Sequence, residues 1–369
     1  MKTVFILGAG FSKPAGAPVQ FELMEDIINL RNQDFDRQDT IVEKLNRFEE
    51  FLENQLYISR QNFYQVTLED IFTPLDRCII DNVAYRGILP KDLKSLREDI
   101  YNLIVVALKE RLDRHNNKGY IDDFAKIIVA EAKKRVENIK RDTISILSTN
   151  WDILLDNSLN DAIRNVYYKN NDIDGVVDYC CHVSSYDEDD VKIKPGLQAL
   201  GEGKYNVKLL KLHGSMNWLQ CTNCQRLYIK FNNKLVDYRR FGNSKCRHCN
   251  KNYKGNDTSY SLESNLIMPT FLKDLNNFQV KLIWQNAGVE LSEANKIVFI
   301  GYSLPYADFE LRQLLSRMVR HDAKIEVVLR AKENLENDPT YKRYKDFFGK
   351  RDIVPIGNGV EHYIETMTI

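Results

Sequence analysis

The chain has 369 residues, and its 52 Lys plus Arg are balanced by 52 Asp plus Glu, so the formal net charge is zero. This balance argues against a generally basic surface built to hold nucleic acid, which is therefore not directly indicated. A hydrophobic fraction of 43% excludes intrinsic disorder as the main state. No stretch approaches the roughly 18 to 20 apolar residues of a membrane helix, so we expect no membrane partner and a cytoplasmic location.

The first predicted element is a short apolar strand over residues 3–7, which ends at the glycine-containing sequence GAGFS. Apolar residues then recur at helical spacing over about 21–30 and 41–57. The sequence Thr67-Leu68-Glu69-Asp70 predicts the start of another helix, with Thr67 as its N-cap and two acidic residues in its first turn. Further helices are predicted over about 93–115 and 121–139, so this part of the chain forms a helical block.

Strand patterns return in the second half of the chain. They are short apolar runs separated by sequence compatible with helices, and they cover about 143–148, 206–212, 296–301 and 324–329. This alternation favours an α/β fold in which a parallel sheet carries helices on both faces.

The sequence Gly8-Ala9-Gly10-Phe11-Ser12 follows the first strand directly. Glycines at such a turn let backbone N–H groups approach a phosphate pair, and Ser12 adds a hydroxyl donor. The full G-x-G-x-x-G pattern is absent because position 13 is Lys. A plain strand-to-helix turn therefore remains an equal alternative to a phosphate-binding loop.

Polar residues also follow three other predicted strands, where the ligands of open parallel sheets bind. Asn150 and Asp152 follow the second strand, although either residue would also suit the N-cap of the next helix. His213 follows the third strand and suits a general base, although a lone histidine at a strand end is more often structural. The fourth strand is followed by a glycine and two hydroxyl side chains, Gly301, Tyr302 and Ser303.

Two C-x-x-C pairs lie 21 residues apart, at Cys221, Cys224, Cys246 and Cys249. Four thiolates at this spacing form the closed tetrahedron of a structural zinc site. Four unbound thiols are the alternative, and His248 is close enough in sequence to replace one cysteine. A catalytic metal is not expected, because no coordination position would be left open for water.

The order of these motifs, GAGFS, STNWD, LHGS, the paired C-x-x-C module and IGYSL, resembles the sirtuin family. Within that family it is most similar to bacterial sirtuin-like proteins that consume NAD in antiphage defence. The resemblance implies one catalytic domain over residues 1–369, with a Rossmann-like parallel sheet that binds NAD and a small zinc-ribbon module. Its parts would be 1–66 with the first strand, the NAD loop and helices, 67–142 as a helical insertion, 143–218 and 260–369 as the rest of the core, and 219–259 as the zinc ribbon.

The resemblance also implies roles for individual residues. The segment 8–12 would contact the NAD phosphates and ribose, and Gly301, Tyr302 and Ser303 would form a second NAD contact. Asn150 and Asp152 would be catalytic residues near the nicotinamide and its ribose, and His213 would be the catalytic histidine. Zn²⁺ would be held by the four cysteines.

Two departures from protein deacylases of this family favour hydrolysis of NAD. The cofactor loop lacks the arginine of their Asp-Phe-Arg segment, and Pro269 stands where their substrate peptide adds as a strand. We therefore expect an NAD glycohydrolase, with an NAD-dependent protein deacylase and a catalytically silent NAD-binding subunit as alternatives. Such an enzyme would need to be restrained, so a homo-oligomer is expected, and the resemblance implies a HerA-type ATPase as the partner.

Overall fold

The computed structural model describes residues 1–33, 38–114, 117–170, 175–187, 193–231, 245–253, 260–273 and 275–367. Of the predicted ribbon at 219–259, the segments 232–244 and 254–259 lie outside these ranges.

A seven-stranded parallel sheet forms the centre of the molecule, in the order β11-β10-β9-β1-β2-β5-β3. Its strands are β1 (Thr3–Leu7), β2 (Ile144–Ser148), β3 (Gly175–Asp178), β5 (Tyr205–Lys211), β9 (Lys296–Ile300), β10 (Lys324–Val328) and β11 (Ile353–Ile356). The predicted parallel sheet is thereby confirmed. The direction in which strands are added reverses between β1 and β9, so a crevice is expected there.

Helices cover both faces of this sheet, as predicted. The helices within the described ranges are α1 (Ala9–Ser12), α2 (Gln20–Asn29), α3 (Gln38–Glu50), α4 (Leu68–Asp81), α5 (Pro90–Arg114), α6 (Gly119–Lys133), α7 (Leu154–Asn170), α8 (Gly196–Gly201), α9 (Arg247–Asn252), α10 (Phe278–Glu293), α11 (Phe309–Met318), α12 (Pro339–Phe348) and α13 (Gly359–Thr366). Helix α6 packs against α7 and α13, and α10 packs against α11. None of the helices in the described ranges has the length and apolar character of a membrane span.

Helices α2 to α5 enclose a second hydrophobic core, separate from the core of the sheet. Thr67 caps α4 as predicted, because its hydroxyl accepts from the backbone N–H of Asp70 while the Asp70 carboxylate accepts from the N–H of Thr67. Trp151 and Met216 pack against this core from the side of the sheet. The segments that carry the predicted site therefore lie where the two cores meet.

A smaller sheet has the order β4-β7-β6-β8. Its strands are β4 (Val183–Ser185), β6 (Gly214–Cys221), β7 (Leu227–Ile229) and β8 (Leu262–Leu266). Strand β6 begins immediately after His213 and ends at Cys221. An extended strand of eight residues spans roughly 25 Å. The predicted catalytic histidine and the first cysteine are therefore well separated.

Candidate active site

Four predicted segments meet at the carboxyl edge of the main sheet. Strands β9, β1, β2 and β5 are consecutive neighbours, so the residues that follow them lie side by side. The N–H of Gly8 donates to Ile300 O at 3.1 Å, and that of Thr149 to Leu7 O at 3.0 Å. The N–H of Leu212 donates to Ser148 O at 2.9 Å. These bonds extend the sheet register into the loops and bring GAGFS, STNWD, LHGS and IGYSL together.

The loops after β1 and β9 are in direct contact. A Cβ on Gly8 would lie 2.6 Å from the carbonyl oxygen of Gly301, and a Cβ on Gly301 would lie 2.0 Å from the nitrogen of Phe11. Gly301 also has a φ of +63°. Close packing of two backbones is therefore one physical reason for these glycines.

The backbone N–H groups of the first loop are largely used within the protein. Gly8 donates to Ile300 O, Gly10 to Gly301 O at 2.9 Å, and Phe11 to Gly8 O at 2.8 Å. These three groups are therefore already satisfied. The predicted NAD contact of segment 8–12 would have to use other atoms, such as the Ser12 hydroxyl.

Phe11 and Ser12 are both buried but have different surroundings. The Phe11 ring packs edge-on against Tyr120 and Phe124, which places it in the core of the sheet. Ser12 faces the loop after β2, because its Oγ accepts from Asn150 Nδ2 at 3.2 Å. Phe11 is thus a packing residue that fixes the loop, whereas Ser12 reaches the candidate site.

The Asn150 carboxamide is anchored on one side only. Its Nδ2 donates to Gly8 O at 3.0 Å as well as to Ser12, and the residue is 8% exposed. Its Oδ1 is buried and accepts no hydrogen bond within the described ranges. A buried acceptor of this kind needs a donor from elsewhere. Asn150 Oδ1 is therefore suited to receive a hydroxyl or a water.

Asp152 has partners that give it a structural role. Its Oδ1 accepts from the N–H of Leu154, the first residue of α7, at 3.1 Å. Burial raises the pKa of the Asp152 carboxyl, and the Lys211 ammonium and the Ser12 hydroxyl oppose this rise. The alternative that Asp152 caps the next helix is therefore consistent with the hydrogen bond that its Oδ1 accepts. Lys211 also donates to the backbone carbonyl of Asp152 at 2.6 Å, which ties β5 to this loop.

His213, which follows β5, contacts a carboxylate from the loop after β9, and these two strands lie on opposite sides of β1 in the sheet. Its Nε2 lies 3.2 Å from Asp308 Oδ1, although the two residues are 95 positions apart in sequence. Asp308 stands at the start of α11 and is 4% exposed. The His213 ring is also close to the indole of Trp284, with ring centres 6.5 Å apart. The histidine thus has a carboxylate partner that can fix the orientation of its ring.

Two further donors converge on Asp308. Lys273 Nζ lies 3.1 Å from Oδ1, and the Tyr302 hydroxyl donates to Oδ2 at 2.6 Å. Burial alone would raise the pKa of Asp308, but His213, Lys273 and the Tyr302 hydrogen bond together hold it well below the ordinary value. Asp308 is therefore ionised at neutral pH.

Tyr302 and Ser303, the other predicted residues after β9, have different surroundings. The Tyr302 side chain is buried and points to Asp308, while its carbonyl accepts from the Tyr344 hydroxyl at 2.7 Å. Ser303 is exposed, and its carbonyl accepts from the Arg343 guanidinium. Tyr302 therefore acts through the charge network, whereas Ser303 lies at the surface of the loop.

Sequence reasoning does not find Asp308 or Lys273. Asp308 precedes an amphipathic helix, where an aspartate usually serves as an N-cap. Lys273 lies in a polar loop, yet its side chain is 2% exposed. The one available signal for Asp308 is its position five residues after Ser303, in the loop that follows a predicted ligand-facing strand end.

The four predicted cysteines form one cluster. Their sulfurs all lie within 4.8 Å of one another, and both Cys221–Cys249 and Cys224–Cys246 are 3.7 Å apart. Zn–S bonds of about 2.3 Å place the sulfurs of a tetrahedral site about 3.8 Å apart, so the cluster has the dimensions of a zinc site.

The surroundings act differently on the individual cysteines. Burial raises the pKa of Cys221 to about 12, whereas hydrogen bonds led by that from Tyr228 outweigh burial and lower the pKa of Cys246 to about 7. Asn223 Nδ2 also lies 3.3 Å from Cys249 Sγ. Donors aimed at sulfur are the usual support around a bound metal. The residues present therefore fit Zn²⁺.

Comparisons with models of known families and with curated proteins find no match. Solved Sir2 structures align over 99% of this chain. One, from work on the mechanism and regulation of Sir2 enzymes, is 14% identical and 89% covered, with a TM-score of 0.40. Sir2 bound to acetylated peptide is 13% identical, with 91% of its chain covered and a TM-score of 0.39. Sir2 with a p53 peptide and NAD⁺ is 14% identical, with 90% of its chain covered and a TM-score of 0.37. Values this low assign no activity, so a function must be argued from this chain's own residues.

Proposed function

We propose that this chain binds NAD at the carboxyl edge of the sheet and hydrolyses it to nicotinamide and ADP-ribose. The observation that carries the proposal is the Asn150 carboxamide. Its Nδ2 is fixed by Gly8 and Ser12, while the buried Oδ1 is left to accept from a ligand. It lies beside the reversal point between β1 and β9, where open α/β sheets bind nucleotides.

The chemistry requires few protein groups. The nicotinamide ring nitrogen of NAD⁺ is already cationic, so nicotinamide departs as a neutral molecule with the bonding electron pair and no acid has to protonate it. The ribose develops oxocarbenium character as the bond breaks. Water then adds to the sugar carbon and gives up a proton. In this proposal Asn150 Oδ1 positions a ribose hydroxyl or that water, and His213 accepts the proton. The Ser12 hydroxyl supports Asn150 and borders the bound dinucleotide.

Contacts around residue 267 favour hydrolysis over deacylation. The N–H of Ile267 donates to His213 O at 2.9 Å, and its carbonyl accepts from Trp151 Nε1 at 3.2 Å. Both backbone groups are therefore engaged within the chain, and Pro269 supplies no N–H. A peptide added as a strand at this segment would have to displace those bonds.

The cysteine cluster is proposed to hold a structural Zn²⁺. All four ligand positions would be filled by thiolates, and β6 separates the cluster from His213. Zinc would there link β6 and α9 and stabilise the smaller sheet. None of the proposed steps of hydrolysis involves it.

The cellular setting is proposed from the sequence resemblance. Depletion of NAD during phage infection would arrest growth, so the enzyme has to be restrained until it is triggered. A homo-oligomer or a HerA-type ATPase partner would provide that control. We propose a cytoplasmic location, because the NAD that the enzyme would deplete is cellular.

The deciding experiment incubates purified protein with NAD and separates the products by chromatography. Nicotinamide and ADP-ribose released without any acylated peptide support hydrolysis. Turnover only with an acylated peptide would indicate a deacylase, and NAD that binds without conversion would indicate a regulatory subunit. Addition of a HerA-type ATPase tests whether an inactive chain needs its partner.

A further inference from the structure

We propose that Asp308 is a positioning residue for His213, which holds the imidazole with its Nε2–H toward the carboxylate and leaves Nδ1 as the proton acceptor. Its effect on turnover rests on the proposed function, whereas its effect on the imidazole does not.

The placement of Asp308 is the first support. It occupies the N-cap position of α11, yet its side chain makes no capping hydrogen bond. An aspartate at this position normally accepts from the N–H groups of the first helical turn. Here the carboxylate instead contacts His213, Lys273 and Tyr302. A stabilising local bond is thus given up for a long-range contact with the histidine.

The chemistry of the carboxylate fixes the tautomer. An ionised carboxylate only accepts hydrogen bonds, so the nitrogen that faces it must carry hydrogen. In His213 that nitrogen is Nε2. In the neutral imidazole the lone pair then belongs to Nδ1. A base with a defined free nitrogen is what proton removal from water or a hydroxyl requires.

Lys273 and Tyr302 hold the carboxylate in place. Tyr302 occupies Oδ2, so Oδ1 is directed to His213 and Lys273. Lys273 is itself fixed by the carbonyl of Ala307 at 3.1 Å and by Glu310 at 3.0 Å. The Lys273 ammonium thus balances part of the charge of Asp308 and fixes the orientation of its carboxylate.

The test is NMR of protein with ¹⁵N-labelled histidine, recorded without NAD. The chain has six histidines, and His213→Gln assigns the resonances of interest. We expect the parent His213 to show the Nε2–H tautomer and Asp308→Ala to lose this preference. Because Asp308 does not cap α11, this variant should retain the helix, which circular dichroism checks. Glu326→Gln is the control: it removes a carboxylate that pairs with Lys296, the first residue of β9, at 2.8 Å, and it should preserve the tautomer.

Turnover gives the second readout. Asp308→Ala should lower kcat about 10²-fold or more with little change in KM, as expected when a catalytic histidine loses its orienting group. Glu326→Gln should keep the parental rate, because its ion pair with Lys296 lies outside this network. If Asp308→Ala does not fold, Asp308→Asn takes its place: its amide can donate to Nε2, so the Nε2–H preference should again be lost and kcat should fall about 10²-fold or more.

The two proposals fail in different ways. A parent without NAD turnover counts against the proposed function, while the NMR result still decides the imidazole. An unchanged His213 tautomer in the folded Asp308 variant overturns the positioning role, whatever the activity. An altered tautomer with unchanged kcat in an active enzyme also overturns it.

Discussion

Replacing Asn150 with alanine separates a catalytic carboxamide from a structural one. The change removes two neutral hydrogen bonds from Nδ2, to Gly8 O at 3.0 Å and to Ser12 Oγ at 3.2 Å. Each such bond contributes about 0.5 to 1.5 kcal/mol net, so the variant should lose about 1 to 3 kcal/mol of unfolding free energy. The backbone bond from the N–H of Asn150 to Ser148 Oγ is unaffected.

Asn150→Ala should lower turnover far more than partial unfolding of the variant could explain. Most domains have 5 to 15 kcal/mol of stability, so a loss of about 1 to 3 kcal/mol leaves the protein folded. Loss of the group that positions ribose or water should reduce the rate about 10²-fold or more, comparable to removal of a single preorganised polar group in other active sites. Asn150→Ala should thus be a folded protein with little NAD consumption.

Asn277→Ala is the matched control. Asn277 caps α10 by accepting from Gln279 N at 2.8 Å and Val280 N at 3.3 Å, and it donates to Gln220. Its loss should also cost about 2 kcal/mol, from one cap and one further hydrogen bond. Gln220 lies at the cysteine end of β6, far from His213. Turnover should therefore stay near the parental rate.

Both variants are compared by urea unfolding and by NAD consumption at saturating substrate. Parental turnover in Asn150→Ala, despite the measured loss of stability, would refute the catalytic role of this carboxamide. An equal fall in turnover in both variants would show that destabilisation alone accounts for the loss.

His213→Ala should lower NAD consumption about 10²-fold or more and should also lower the unfolding midpoint, because the buried Asp308 carboxylate loses a partner; parental activity would remove His213 from the mechanism. Cys221→Ser should release zinc, measured by elemental analysis, and lower the melting temperature; a parent that folds without zinc would contradict the ribbon assignment. Gly301→Ala should destabilise the protein strongly, because the new Cβ would meet Phe11 N at 2.0 Å and φ is +63°; an unchanged melting temperature would count against that packing. The pKa of Asp308 is lowered by folding, so its contribution to stability is present above its unfolded pKa of about 3.9 and is lost as the pH falls through the folded value. Unfolding free energy measured against pH should therefore fall less steeply below about pH 4 in Asp308→Asn than in the parent.

The sequence predicts the main sheet well because its central strands are buried on both faces. Strands such as β1 and β9 are continuous apolar runs, which stand out from their surroundings. Strand β11 does not stand out, because it has four residues, contains Pro355 and is only partly buried. The three-residue strands β4 and β7 depend on their partners in the smaller sheet, and such tertiary pairing leaves little local pattern.

Some residues of the candidate site can be predicted from the local sequence, whereas others are found only from their contacts in the fold. Asn150 and His213 follow strand ends, so the rule for parallel sheets finds them. Asp308 and Lys273 are recognised only through a charge network that joins residues 213, 273, 302 and 308. Local rules even misdirect, since they assign Asp308 to helix capping and Lys273 to the surface. A histidine found by pattern thus becomes a candidate base only when the fold supplies the carboxylate that decides which of its nitrogens is free.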